Sequence, residues 1–485
     1  MRLHIVLVTT AVLFLAIVFQ GSRGLWEPDE GRYTAVALEM LRTGDWLHPQ
    51  LNDWTPHYTK PPLTYWALAS SFALLGHHEW AARLPGALAF AGTSLLMWPL
   101  ARRLCGNEAR AAIAPLLYAS TAGPFIASNV VSTDGLLTFF EALAMAGFVA
   151  AWFDDPTSGH RRGWLAAMWV GFGLGFLTKG PPGLLPLAAV VGFALWRGGR
   201  RRTLSLFWLP GLALFAVVAF GWFATICYER PEMLGYFVGS EVIDRVASDS
   251  HDRHAAWYYA FTIYGPAMLG GSLPWLPAAL VDRLRRRRSG EPLELRPTSD
   301  AGRLLALWVC VPLAVFVVAQ SRMYLYVLPL MVPLTLAAIR LWPHDPLSLR
   351  REQQFALGWV AGLIALRLTL ALVPAKQDSS RLAAELPPLP STSDVIVSVD
   401  SRWRYGLALS TGRQVLLASR DLEPEDDRSV GDALAEVHAS GGRPTLFVRR
   451  KWQDVALAGV DSAGAEADLM GSCGDADLYS VRFSR

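Results

Sequence analysis

His4-Ile-Val-Leu-Val-Thr-Thr-Ala-Val-Leu-Phe-Leu-Ala-Ile-Val-Phe-Gln20 is an apolar run behind a single basic residue, Arg2, and just beyond it the chain reads Leu25-Trp-Glu-Pro-Asp-Glu-Gly-Arg-Tyr33. A segment of nearly bilayer-spanning length that delivers two carboxylates and an arginine to the edge of a membrane points to chemistry at the lipid–water boundary. No small-residue cleavage site of the A-x-A kind follows, and many more apolar runs do, so the segment is read as an uncleaved first helix.

The rest of the chain agrees. Of 485 residues, 52% are hydrophobic and only 18% charged, against about 25% charged in soluble proteins, and the mean hydropathy is +0.29. This excludes a disordered chain and argues against a soluble multidomain enzyme. A net charge of +3 is too balanced to suggest nucleic acid. Further apolar runs lie near 81–101, 111–126, 133–153, 164–178, 183–197, 204–226, 257–281, 304–319, 323–341 and 354–374, which with the first make eleven expected spans. The pair 164–178 and 183–197, joined by Lys179-Gly-Pro-Pro-Gly183, reads either as two thin spans or as a re-entrant hairpin. Leu63–Gly76 is apolar but short for a span. It is read as a helix lying at the outer membrane face.

Orientation follows from the arginines. Arg102, Arg103 and Arg110 share one loop; Arg161 and Arg162, Arg197 and Arg200 to Arg202, Arg283 and Arg285 to Arg288, and Arg350 and Arg351 mark every second loop after it. The positive-inside rule then puts the N-terminus in the cytoplasm and the alternate loops outside. From Ala375 onward the balance changes to 13 basic and 17 acidic residues. The chain is therefore divided into a membrane body, 1–374, whose first outer loop is 21–80, and an external tail domain, 375–485. In the tail, Asp394–Val399, Val415–Ala418, Thr445–Val448 and Leu478–Phe483 read as strands and Leu382–Leu386, Tyr405–Ser410, Val430–His438 and Trp452–Ala456 as helices, a small α/β module. It has no Gly-rich phosphate loop and is read as a structural cap, with an acceptor-binding or lid role as the alternative. The four cysteines form no disulfide framework or metal motif.

The chemistry-bearing residues fall on one side of this topology. Asp29, Glu30, Arg32 and Tyr33 follow the first span, Ala35, Val36, Leu38, Met40 and Leu41 form a short amphipathic interfacial helix, and Lys60 stands in His57-Tyr-Thr-Lys-Pro-Pro62. Asp134 opens a span, Lys179 ends one, the loop 227–256 holds Glu241, and Arg322 caps a tight turn above Tyr324 and Tyr326. Cations at a membrane surface suit a lipid phosphate. Carboxylates beside them suit activation of a hydroxyl or stabilisation of a cationic sugar ring. Together they describe glycosyl transfer from a lipid-linked phosphate donor.

Pro28-Asp-Glu-Gly-Arg-Tyr33, Gly44-Asp-Trp46, Tyr58-Thr-Lys-Pro-Pro62, Ser132-Thr-Asp134, Leu177-Thr-Lys-Gly180, Leu273-Pro-Trp-Leu276 and Ser321-Arg-Met-Tyr-Leu-Tyr-Val-Leu-Pro329 run through the membrane body in order. With these stretches the chain resembles the GT-C membrane glycosyltransferases, in particular the protein O-mannosyltransferase and lipid A aminoarabinose transferase (ArnT-like) branch. The resemblance implies an all-α polytopic membrane body of about eleven helices with juxtamembrane amphipathic helices and a small external α/β domain. It implies an inverting transferase acting at the periplasmic face of a bacterial inner membrane, with a polyprenyl-phosphate sugar donor and a lipid or glycan acceptor such as lipid A. Asp29, Glu30 and Asp134 would be the catalytic carboxylates; Arg32, Tyr33, Lys60, Lys179, Glu241, Arg322 and Tyr326 would bind the lipid phosphate and substrate. Two positions depart from the ArnT-like pattern. Thr59 stands where that branch has Glu before Lys-Pro, and Val242 stands where it has His after Glu. Those positions look like metal ligands in the branch, so no metal or other cofactor is expected here. Among enzymes, a protein O-mannosyltransferase is the nearest rival reading. A lipid-linked sugar transporter or flippase is the rival from another class; it would need inverted repeats and broken mid-membrane helices, whereas no internal repeat is found and the charged groups cluster at one face.

Overall fold

Ser132, with extended backbone, accepts a hydrogen bond from Asp134 N and starts a helix that then runs without interruption from Thr133 to Phe153. Most of the chain is built from helices, and a few others, such as Glu108–Ala119 and Asp300–Val318, are capped in the same way. The structure is a computed structural model that describes residues 2–154, 159–239, 258–289, 299–342, 350–373, 375–400, 404–418 and 428–483. It falls into two compact units: one is Met1–Phe19, Thr59–Leu63 and Pro85–Leu368, the other Gln20–Tyr58, Thr64–Leu84 and Thr369–Arg485. The sequence division at 374 therefore differs from the packing. Most of the loop 21–80, read with the membrane body, groups with the tail, and only Thr59–Leu63 packs with the helices.

Seven helical segments among the described residues are long and apolar enough to cross a membrane: Glu79–Leu104, Thr133–Phe153, Pro181–Leu204, Leu209–Glu229, Asp300–Val318, Tyr324–Leu341 and Arg350–Leu372; all but the start of the first and the end of the last belong to the first unit. This is the build of a multi-pass membrane protein. Of the other four expected spans, three are shorter or broken and the fourth, 164–178, is an unbroken helix with charges at both ends. The first helix, Arg2–Ile17, has 16 residues. The second stops at Ala119 and resumes over Ala122–Ala127. There Ser120 and Thr121 turn their hydroxyls back to the Leu116 and Leu117 carbonyls, 2.6 and 2.8 Å away, and compete with the helical ladder. The run 257–281 divides into Tyr259–Gly271 and Trp275–Arg288 around Pro274, which has no N–H to give. Arg161–Lys179 is one helix of 19 residues that begins with two arginines. Gly180, at φ 74°, ends it, and a 3-10 turn over Pro181–Leu184 leads into Leu185–Leu204. The pair is thus two helices joined by a tight turn, a geometry common to both readings.

Helix contact in this unit depends on small residues, as expected where lipid supplies no hydrophobic drive between helices. A Cβ on Gly147 would stand 2.6 Å from Met168 N, and one on Gly171 2.7 Å from Ala144 N, so the helices Thr133–Phe153 and Arg161–Lys179 meet backbone to backbone. Arg367, buried within Arg350–Leu372, donates to the Leu15, Val18 and Phe125 carbonyls and to Ser128 Oγ at 2.6–3.2 Å. It ties three helical segments together inside the apolar body.

The second unit is a five-stranded sheet with its flanking helices and the segments 20–58 and 64–84. In spatial order the strands are Gln414–Leu417, Val395–Val399, Pro444–Arg449, Ala476–Phe483 and Ala465–Cys473; the first three are parallel and the last two antiparallel. Val395–Val399 is buried at every position, the near-continuous apolar strand of a covered parallel sheet. Ala465–Cys473 was not among the expected strands. It lies at the edge, largely exposed and broken by Gly471, so it lacks the alternation by which half-buried strands are read. The 29–33 motif opens the helix Asp29–Thr43, closed by Gly44 in the left-handed conformation, whose N–H returns to Met40 O. Leu63–Leu75 is a 13-residue helix, too short to span, as read.

Candidate active site

Each unit holds one cluster of the residues singled out above. In the membrane unit, Asp134 sits in the first turn of its helix, where backbone N–H groups and the helix dipole favour an anion. Lys179, the last residue of Arg161–Lys179, brings Nζ to 2.5 Å from Asp134 Oδ1, with both side chains almost fully buried. The same ammonium lies 4.3 Å from the centroid of the Tyr326 ring, a cation–π distance. Arg322, 2% exposed, donates to Val317 O at 3.0 Å at the end of Asp300–Val318. Lys60, in the same unit, donates to Thr59 O at 2.8 Å. Glu141 was not singled out from the sequence. It is buried seven residues along the helix from Asp134, and its electrostatic neighbours are Lys179 and Asp134. Seven residues are two helical turns, so both carboxylates point to one face.

In the other unit, Asp29 and Glu30 separate. Asp29 accepts from Arg32 at 2.6 Å through Oδ1 and keeps a side-chain exposure of 39%. Arg32 lies 5.6 Å from the Tyr33 ring, and Tyr33 packs against Tyr65 with ring centroids 5.9 Å apart. Glu30 points the other way and is 2% exposed. It accepts from Arg23 at 2.6 and 3.3 Å, from Arg83 at 3.1 and 3.2 Å and from Trp26 N at 2.7 Å. Burial alone would push this carboxyl up, but the two guanidiniums outweigh it and hold it down at about 2. Glu27 is the opposite case. Its Oε1 takes the Gly406 N–H at 2.5 Å, its buried Oε2 has no partner, and burial pushes it up to about 8.

Asp134, Lys179 and Tyr326 are therefore brought together, Arg322 and Lys60 share their unit, and Asp29, Arg32 and Tyr33 form their own group. Glu30 is saturated by five hydrogen bonds, the geometry of a structural anion rather than of a proton acceptor. Glu241, with Val242 beside it, lies outside the described residues. Among the described residues no three His, Cys, Asp or Glu side chains are placed to hold a metal ion. Sequence reasoning missed Glu27, Arg83, Glu141 and Arg367. The last three fall inside expected spans, where an ionisable residue is itself a signal.

A family model described as dolichyl-phosphate-mannose-protein mannosyltransferase matches residues 59–224. Among curated proteins, the chain is 32% identical over 357 residues to undecaprenyl phosphate-alpha-4-amino-4-deoxy-L-arabinose arabinosyl transferase 2 of Pseudomonas fluorescens, covering 72% of this chain and 61% of that protein. It is 32% identical over 339 residues to the transferase of the same name from Edwardsiella ictaluri, covering 68% and 58%. The chain thus spans between 53% and 63% of the length of these curated relatives. Among solved structures, ArnT from Cupriavidus metallidurans bound to undecaprenyl phosphate superposes with a TM-score of 0.80 at 19% identity, covering 98% of this chain and 97% of that one. The fold is that of the GT-C membrane glycosyltransferases. Within that class the chain resembles the ArnT-like branch in both sequence and fold.

Proposed function

We propose that the chain is an inverting glycosyltransferase that moves a sugar from a polyprenyl-phosphate donor to a lipid or glycan acceptor, lipid A among them, at the periplasmic face of a bacterial inner membrane. The observation that carries this reading is the Asp134–Lys179–Tyr326 cluster: a buried cation, fixed by a carboxylate and an aromatic face, in a fold shared with an ArnT bound to undecaprenyl phosphate. A lipid phosphate is the anion a membrane protein would hold this way. The acceptor oxygen attacks the anomeric carbon as the bond from that carbon to the phosphate oxygen breaks, which inverts the configuration. Charge gathers on the departing phosphate, where Lys179, Arg322 and Lys60 would meet it. The acceptor's proton passes to a carboxylate. Asp29 is the better base, because its side chain is 39% exposed whereas Asp134, 8% exposed, is buried against the Lys179 ammonium. Asp134 instead holds Lys179 in place and adds negative charge near the developing cationic ring. Glu30 is assigned a structural role. No divalent metal is invoked, since Thr59 brings no carboxylate to the position before Lys60.

The family-model match over 59–224 favours one second reading, transfer of a mannosyl group to a protein hydroxyl. Purified full-length chain offered a panel of polyprenyl-phosphate sugars, with lipid A and a serine-rich peptide as acceptors, separates the two. Release of polyprenyl phosphate with glycosylated lipid A supports the first; glycosylated peptide supports the second. Movement of the intact lipid-linked sugar across a proteoliposome bilayer, with no transfer, would replace both by the transporter reading.

A further inference from the structure

Tyr264 lies in the middle of the helix Tyr259–Gly271, 2% exposed, and its phenolic oxygen has no hydrogen-bond partner among the described residues. Buried tyrosines ordinarily find a partner, and one that does not carries the full desolvation cost of its hydroxyl. Phenylalanine would fill the same space without that cost, so the oxygen calls for a reason.

Its surroundings indicate where a partner would come from. The Tyr264 ring lies 6.0 Å from Phe316, and Phe316 lies 6.3 Å from Tyr326. The groups that act electrostatically on the phenol are Tyr326 and Arg322. Tyr326 in turn carries the Lys179 ammonium on its face at 4.3 Å. A donor with no partner among the described residues thus stands within electrostatic reach of Arg322 and of the Tyr326 that carries the Lys179 ammonium, all in the membrane unit. A phosphate has oxygens to spare for such a donor. A neutral phenol also gives a hydrogen bond without adding charge that the surrounding hydrocarbon would penalise.

We infer that Tyr264 is a further ligand of the donor's phosphate, its O–H donating to a non-bridging phosphate oxygen beside Arg322 and Lys179. This rests on the reading of the chain as a polyprenyl-phosphate glycosyltransferase and names one more residue of that site. No bond is made or broken at Tyr264. Its part is to orient the phosphate and to spread the charge that appears when the sugar leaves.

The test uses the full chain in detergent micelles and three probes: undecaprenyl phosphate, undecaprenol, which has the same tail without the phosphate, and inorganic phosphate. Wild type is expected to prefer undecaprenyl phosphate over both others, and Arg322→Ala to lose much of that preference. Tyr264→Phe, which removes one oxygen, should weaken undecaprenyl phosphate by about tenfold, the worth of one hydrogen bond to a charged group. It should leave undecaprenol binding unchanged. Its ligand-free melting temperature should equal or exceed that of wild type, because an unpaired buried hydroxyl has gone. A Tyr264→Phe protein that binds undecaprenyl phosphate like wild type, while Arg322→Ala does not, overturns the inference and leaves the parent reading standing. A lowered ligand-free melting temperature, or equal losses for both lipids, overturns it in favour of a packing role. A wild-type chain with no preference for undecaprenyl phosphate over undecaprenol overturns the inference and the parent reading together.

Discussion

Lys179 Nζ and Asp134 Oδ1 are 2.5 Å apart, joining the last residue of one membrane helix to the first turn of another. Both side chains are about nine-tenths buried, so neither charge is solvated without the other. Removing one partner of such a pair costs about 3–5 kcal/mol because the survivor is left buried and unpaired. Lys179→Met should therefore lower the melting temperature sharply, and adding Asp134→Asn in the same chain should recover much of the loss. Donor affinity should fall about tenfold to a hundredfold in both proteins, the worth of a charge-assisted hydrogen bond. Additive melting losses across the four-protein cycle would show that the pair is not coupled, and unchanged donor affinity would take Lys179 out of the phosphate site.

Glu30 gives the contrasting case. Arg23 and Arg83, with side-chain exposures of 3% and 0%, both depend on it for charge neutralisation. Glu30→Gln keeps the shape but removes the negative charge that both buried guanidiniums hydrogen-bond. The expected result is severe destabilisation, about 3–5 kcal/mol, read as poor recovery from the membrane and a lowered melting temperature. A Glu30→Gln protein that melts like wild type and yet has no turnover would restore Glu30 to the catalytic carboxylates.

The sequence placed Asp29 and Glu30 together because they are adjacent, and adjacency misleads on a helix. Successive residues are about 100° apart around the axis, so one carboxylate faces out and the next faces in. The partners that decide Glu30's role come from 7 and 53 residues away and could not be read locally. Where the chemistry is local, more was legible. The apolar runs became helices, the four expected tail strands are present, and Asp134, Lys179 and Tyr326 meet although they are scattered over nearly two hundred residues. Arg367 was hidden in plain view inside an expected span, where its charge was averaged into the hydropathy of its neighbours. The grouping of most of the loop 21–80 with the tail was also not legible. It depends on long-range contacts such as Glu27 to Gly406, Gly24 to Asp378 and Asn52 to Val415 O.

Glu27 makes the stability of its unit depend on pH. Burial holds its carboxyl at about 8 rather than the ordinary 4.5, so the folded protein keeps a proton there that the unfolded chain gives up. The stabilisation is present in full below 4.5, is lost as pH rises toward 8, and is gone above it. Glu27→Gln keeps an acceptor for the Gly406 N–H and cannot ionise. Melting temperatures of wild type and Glu27→Gln, measured in detergent from pH 5 to pH 9, should agree at the acid end and diverge with rising pH, with the variant the more stable. Parallel curves would mean that Glu27 is ionised throughout.

Asp29 is the carboxylate on which the proposed reaction most depends. It opens the helix Asp29–Thr43 and is tied to Arg32 through one oxygen only; no hydrogen bond to the other is found among the described residues. It is also the most exposed of the three candidate carboxylates, with a side-chain exposure of 39% against 8% for Asp134 and 2% for Glu30. A base must reach water or substrate, and a structural anion need not. Asp29→Asn removes the charge and keeps the shape, and a pair this exposed contributes at most about 1 kcal/mol, so the variant should melt close to wild type. Loss of a positioned general base costs about 10²–10⁴ in rate. Turnover of Asp29→Asn with donor at saturation should therefore fall by that factor while donor affinity stays near wild type, because the proposed phosphate contacts are Lys60, Lys179 and Arg322. An acceptor that presents an already ionised oxygen, such as a lipid A phosphate, needs no proton removed, and with it the loss should sit at the low end of the range. With a hydroxyl acceptor it should sit at the high end. Wild-type turnover by well-folded Asp29→Asn with both acceptors would show that Asp29 is not the base.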